Sequence, residues 1–368
     1  MQIVCISYTT WERAERFQRL VAGLEGAQVL FFEPEQPLLS RKRRPREGFR
    51  VSEQVTAYTL PATVPGGEEG SVRITQRSRR NVAFVQSCMQ DQGFENPLLW
   101  LTCPDQAGLL YEFSSARGVV YDCDRDWPDF PYDWEAAITE EADVVLTASP
   151  ELRSHLSSFS DSVALLPNGV DYTAFSQAAE GFPNLPTDLH RLPSPVLGTL
   201  GEVTGFTLLS PVLLSAQSHP DWSFVFVGPY SKRNPLFSRL NRLDNVHFLG
   251  EKSAATLPRY LSGFEVCFSL LSERNRNPNV ISEELYRYLA AGKPVAMLSG
   301  GALDELDKME DLVTACHFDY EFSVTLESLL ELEPDPERRQ RQMDYARQAD
   351  WGVRQQELRE LLSASGLL

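Results

Sequence analysis

The sequence predicts an α/β protein of two tandem Rossmann-like domains, each a parallel sheet flanked by helices. Three observations carry that expectation. Short apolar runs alternate with segments of helical spacing along both halves of the chain, which is the rhythm of βα units. A Pro-rich, weakly patterned stretch at 182–195 interrupts the rhythm, which restarts at Val196. Two distant segments, Leu165-Leu166-Pro167-Asn168-Gly169-Val170-Asp171 and Leu289-Ala290-Ala291-Gly292-Lys293-Pro294-Val295, each read as a buried strand joined to a helix by a tight turn.

The elements follow in order. Residues 3–7 are a short apolar strand. Residues 12–24 have helical spacing, with Phe17, Leu20, Val21 and Leu24 in register, and stop at Gly26. A second strand spans 29–32, and 51–60 alternates like an antiparallel or edge pair. Residues 81–89 read as helix and 98–102 as a buried strand, with further strands at 118–122, 143–147 and 163–166. The second half gives strands at 196–200, 224–227, 246–249, 266–270 and 294–298, and helices at 208–217 and 283–290. Two polar helices, 336–348 and 353–362, meet at Trp351 and Gly352. The expected division is a first domain at 1–181, a linker at 182–195, a second domain at 196–350, and a helix at 351–368 that returns to the first. Two such domains would face a cleft. Open α/β sheets bind ligands at the carboxyl ends of their strands. In the second half those ends are Gly201-Glu202, Gly228-Pro229, Gly250-Glu251 and 272–282.

Composition narrows the function. The chain has 368 residues and a net charge of −17, which disfavours nucleic acid as a partner. Its first residues lack a basic segment followed by an apolar run, and no stretch approaches a membrane helix, so a cytoplasmic protein is expected. The six cysteines are dispersed without a Cys-x-x-Cys pair, the pattern of reduced core thiols. The five histidines show no ligand spacing, and no metal site is expected.

With these residues in place, the chain resembles bacterial GT-B-fold glycosyltransferases of the retaining family 4 type, in the teichuronic-acid-biosynthesis-like branch. Trp11 with Arg16, Val29-Leu30-Phe31-Phe32-Glu33-Pro34, Val120-Tyr121-Asp122-Cys123-Asp124, His219-Pro220-Asp221-Trp222 and Asn245-Val246-His247-Phe248 carry the likeness, together with the two turn segments quoted above. The resemblance implies transfer of a sugar from a nucleotide-diphosphate donor, a co-substrate rather than a bound cofactor. The donor would lie on the second domain. A sugar or lipid-linked acceptor of surface-polysaccharide type would lie on the first, near Trp11 and Arg16. It implies donor contacts at Gly201, Glu202, Gly228, Pro229, Gly250, Arg274, Arg276, Asn279, Ser282, Glu283, Glu284 and Arg287.

A leaving diphosphate needs backbone N–H groups, a helix N-terminus or cations. In the family a Lys often stands at the position of Glu284, a Glu at that of Arg287, and an acidic residue at that of Asn279. This chain departs at all three. One reading exchanges the charges, with Arg287, Arg274 or Arg276 holding the diphosphate. The other is a catalytically silent GT-B protein that partners an active transferase. Helix capping also explains Ser282, Glu283 and Glu284.

Asp122-Cys123-Asp124 leaves three readings open: a metal pair, an acceptor-facing pair that includes a catalytic base, or a structural turn. The run Arg41-Lys42-Arg43-Arg44-Pro45-Arg46 reads as a solvated loop or as a peripheral contact with an anionic membrane or lipid diphosphate.

Overall fold

The computed structural model describes residues 1–35, 47–61, 71–113, 115–271, 280–298, 309 and 311–368, with side chains from 79 onward in the helix that starts at Ser71. The chain forms two compact units. Unit 1 is Met1–Pro167 with Gly352–Leu368, and unit 2 is Asn168–Trp351.

Unit 1 is built on an eight-stranded sheet of order β3-β4-β2-β1-β5-β6-β7-β8. The strands are β1 (Gln2–Ile6), β2 (Gln28–Glu33), β3 (Phe49–Arg50), β4 (Val55–Thr59), β5 (Leu98–Leu101), β6 (Gly118–Cys123), β7 (Val144–Thr147) and β8 (Val163–Leu165). All pairings are parallel except β3 with β4. Helices cover both faces of such a sheet, so the strands read as unbroken apolar runs; every residue of β5 and β7 is buried. The stretch at 51–60, expected as an antiparallel or edge pair, divides. Val55–Thr59 joins the parallel sheet beside β2, and only the two residues of β3 run antiparallel. Its alternation reflects a strand near the edge, with one half-exposed position, Thr56.

Helices α1 (Glu15–Val21), α2 (Ser71–Asp91), α3 (Tyr132–Glu141) and α4 (Pro150–Leu156) belong to unit 1. Ser149 caps α4, accepting from Leu152 N at 3.2 Å, with Pro150 at the first helical position. The last helix of the chain, Trp351–Ala364, buries Leu358 and Leu362 completely. Its Gln355 Nε2 donates to Arg19 O at 3.0 Å. A side chain at Gly23 would stand 2.1 Å from that amide, so the contact requires glycine.

Unit 2 has a six-stranded parallel sheet, β11-β10-β9-β12-β13-β14. Its strands are β9 (Val196–Leu200), β10 (Ser223–Val227), β11 (Val246–Gly250), β12 (Val266–Ser269), β13 (Val295–Leu298) and β14 (Thr314–Cys316). Its helices, in order, are α5 (Tyr172–Ser176), α6 (Thr187–His190), α7 (Ser210–Ser218), α8 (Phe237–Leu240), α9 (Leu257–Ser262), α10 (Glu283–Ala290), α11 (Asp319–Leu330) and α12 (Pro336–Gln348). Neither β14 nor α11 is foreseen by the sequence reading.

The chain passes between units at Pro167–Asn168, upstream of the stretch expected as the linker. Residues 182–195 belong to unit 2. Leu189 is buried in its core, and Phe182 and Leu192 pack against it. Their prolines suggest a linker, but apolar burial fixes the segment. The Asn168-Gly169-Val170 turn is held within unit 2. Val170 bridges Asp350, and a side chain on Gly169 would stand 2.8 Å from Ala349 O.

Candidate functional site

The strand ends of unit 2 are glycine-built. Gly201, Gly228 and Gly250 close β9, β10 and β11, all at positive φ, 109°, 150° and 74°. These conformations suit glycine because a Cβ would clash with its own backbone. Neighbouring ends interlock: Gly201 N donates to Val227 O and Gly228 N to Gly250 O, both at 3.0 Å. A Cβ on Gly228 would lie 1.9 Å from Gly201 O. Pro229 O then accepts from Val203 N at 2.9 Å, which carries the interlock past the sheet.

Helix α10 is pinned beside this floor. Ser282 caps it, accepting from Leu285 N at 3.2 Å, and Asn168 Nδ2 donates to Ile281 O at 3.1 Å. The fully buried Tyr288 accepts Leu200 N at 2.7 Å, tying the helix to β9. At its far end, Lys293 Nζ donates to Ser262 O and Phe264 O at 3.0 and 2.7 Å. Burial pulls the Lys293 ammonium below its ordinary value. The Ala-Gly-Lys-Pro segment is thus a structural clamp.

The charges on α10 decide what can dock there. Glu284 lies against β9: a Cβ built on Gly201 would be 2.8 Å from Glu284 Oε1. Arg287 faces inward. It is 7 % exposed, contacts Glu283 Oε2 at 3.4 Å, and lies 5.3 Å over the Phe175 ring. To hold a diphosphate it would have to leave both. Glu202 and Glu251 add acidic residues after β9 and β11. Arg274, Arg276 and Asn279 lie outside the described residues, as does 41–46.

In unit 1 the two aspartates that end β6 face different partners. Asp122 is fully buried and receives Arg16 Nε and Nη2 on one oxygen, at 2.9 and 2.8 Å. Arg16 also donates to Leu166 O at 2.9 Å. Burial raises the Asp122 carboxyl above the usual carboxylate range, and the Arg16 guanidinium opposes that shift. The placement is structural: the pair ties α1 to β6 and to the end of unit 1. It does not present Asp122 as a base.

Asp124 receives Tyr8 Oη at 2.5 Å and Arg125 Nε at 3.0 Å. The Arg125 guanidinium stacks 4.4 Å over the Tyr8 ring. The two carboxylates are therefore not paired as metal ligands. No group of three or more metal-type ligands is assembled among the described residues. The Trp11 ring packs edge-on against Phe31, and the Trp11 backbone N–H donates to Glu33 Oε1 at 2.9 Å.

Sequence reasoning missed a cavity of about 290 Å³ in unit 1, lined by Tyr8, Glu35, Asn81, Asp105, Trp127 and Phe130 among others. The aromatics Trp127 and Phe130, just past a strand end, were a legible signal; Asn81, inside a helical run, was not.

No protein-family model matches the chain. A Bacillus subtilis (strain 168) protein named as a teichuronic acid biosynthesis glycosyltransferase, TuaH, is 27 % identical over 282 residues, covering 70 % of this chain and 69 % of that protein. Sucrose-phosphate synthase from Thermosynechococcus elongatus superposes with a TM-score of 0.73 at 15 % identity, over 99 % and 98 % of the two chains. The trehalose-6-phosphate protein from E. coli bound with UDP-2-fluoro glucose gives 0.70 at 10 % identity, over 100 % and 99 %. Fold and relative together define the class, a glycosyltransferase of GT-B fold. Within that class the chain is similar to the teichuronic-acid-type transferase rather than identified with it. Among the described residues, no helix is long and apolar enough to cross a membrane.

Proposed function

We propose that the chain transfers a sugar from a nucleotide-diphosphate donor, bound at the strand ends of unit 2, to a surface-polysaccharide or glycolipid-type acceptor on unit 1. One observation carries the reading: the interlocked Gly201, Gly228 and Gly250 beside the capped N-terminus of α10. Side-chain-free backbone permits close approach, and the helix terminus favours an anion. The relative's name supports the polysaccharide-type acceptor. In this reading the transfer needs no metal or bound cofactor, and the protein acts in the cytoplasm, with residues 41–46 as its peripheral membrane contact.

A second reading, a catalytically silent partner of an active transferase, rests on Glu284. Its carboxylate lies against Gly201, where the diphosphate would dock. Calorimetric titration with UDP, GDP, ADP and their sugars separates the two. The transferase reading expects the wild type to bind one nucleotide sugar and Glu284→Lys to tighten it about tenfold, or about 1.4 kcal/mol. Silence of the wild type, with binding gained only by Glu284→Lys/Arg287→Glu, would establish the second reading instead.

A further inference from the structure

We infer that Asn168, the first residue of unit 2, is a positioning residue for donor binding: its side-chain amide sets the direction of the N-terminus of α10. The ligand, a nucleoside diphosphate, rests on the transferase reading; the bracket that holds the helix does not.

The start of α10 is where backbone donors gather. Ser282 Oγ accepts from Leu285 N at 3.2 Å, and Ser282 O accepts from Tyr286 N at 3.3 Å. The amides ahead of these have no acceptor within the helix, as at any helix start. An anion meets such N–H groups, and how well they hold it depends on where they point. That direction is set one residue upstream of the cap. Asn168 Nδ2 donates to Ile281 O at 3.1 Å, across 113 positions of sequence. Ile281 directly precedes Ser282, so the bond fixes the backbone from which the helix turns. Asn168 is buried, 9 % exposed, which limits the positions its amide can take.

A second tie comes from the same stretch of chain. The Arg287 guanidinium, one turn into α10, lies 5.3 Å from the Phe175 ring centre. Phe175 sits in α5, whose start Asp171 caps by accepting from Ala174 N at 3.1 Å. Residues 168–175 therefore bracket α10 at Ile281 and at Arg287. The bracket is itself fixed. Val170 N donates to Ala349 O at 2.9 Å and Trp351 N to Val170 O at 3.0 Å. Tyr172 N donates to Asp350 Oδ2 at 3.0 Å. A Cβ on Gly169 would stand 2.8 Å from both Ala349 O and the Trp351 ring. The segments by which the chain enters and leaves unit 2 are thus laced together next to Asn168. A side chain carried on a rigid support holds a site more closely than one on a loose loop.

Hydrogen exchange and calorimetric titration with UDP, GDP and ADP on the full chain test this. Asn168→Leu keeps the bulk and loses the donor. Without ligand it should speed exchange at 281–286 at least tenfold and leave 196–200 and 223–227 at the wild-type rate. Its nucleotide affinity should fall at least tenfold. In nucleoside-diphosphate release the donor KM should rise by the same factor with kcat within threefold, the signature of binding lost equally in ground and transition states. A partly unfolded variant would instead lower kcat at an unchanged KM. Asn168→Gln, which keeps an amide, should recover at least threefold of the lost affinity. The proposal is overturned if Asn168→Leu leaves 281–286 at the wild-type rate, or speeds exchange equally in the strands. Nucleotide bound equally by Asn168→Leu and the wild type also overturns it and leaves the transferase reading intact. A wild type that binds no nucleotide, with faster exchange at 281–286 in Asn168→Leu, counts against the transferase reading alone.

Discussion

The two units end their parallel strands in opposite ways. At the carboxyl end of unit 1's sheet, charges pair off: Arg16 with Asp122, and Arg125 with Asp124 and Tyr8. What remains is a walled cavity with an aromatic edge. At the carboxyl end of unit 2's sheet, glycines clear the backbone, Glu284 stands on the cleared surface, and Arg287 turns into the core. The same α/β architecture frees both ends from packing. Side-chain charge then sets the two ends apart: ion pairs tie the unit 1 end together, and a carboxylate stands over the backbone floor of unit 2.

The largest effect that tests this contrast is at Arg16. If the unit 1 charges are structural, Arg16→Ala strands Asp122 in the interior without its partner, a loss of about 3–5 kcal/mol. Urea unfolding followed by circular dichroism measures it; a loss under about 1 kcal/mol, the range of exposed pairs, would show that the pair is solvated and return Asp122 to the list of reacting groups.

The next concerns the unit 2 floor. Gly228→Ala places a methyl against Gly201 O at a φ of 150°. Backbone strain of this kind costs about 1–3 kcal/mol, and donor binding should fall with it. Unchanged stability together with lost nucleotide binding would instead assign Gly228 a ligand role without a folding role.

The smallest is a pH effect in β11. Burial holds the His247 imidazole below its ordinary value of 6.5, and its Nε2 has no partner. A histidine depressed in the folded state contributes stability that is present above the unfolded value and lost as pH falls through the folded one. The urea midpoint should therefore drop as pH falls below about 6.5, and His247→Gln should flatten that slope. An equal slope in both proteins would place the acid sensitivity elsewhere.

Much of the fold was legible because hydrophobic periodicity and turn chemistry are local. Ser282 announced a capped helix, and the cap forms. The misreadings came where local composition competes with distant packing. Pro-rich 182–195 looked like a linker, yet Leu189 is buried in the unit 2 core. The helix Asp319–Leu330 went unseen although it buries Phe322 and Leu326 completely.

For the site, the sequence by itself determined where strands end, that glycines stand there, and that α10 carries Glu284 and Arg287 in its first turns. These follow from spacing along one chain segment. It did not determine which way those charges face. Arg287 finds Phe175, more than a hundred residues earlier in the chain, and Asp122 finds Arg16 across the sheet from α1. The unit 1 cavity draws Tyr8, Asn81 and Trp127 from three separate elements. Orientation, burial and pairing depend on which segments pack together, so only the tertiary structure decides whether a charge meets a ligand or a neighbour.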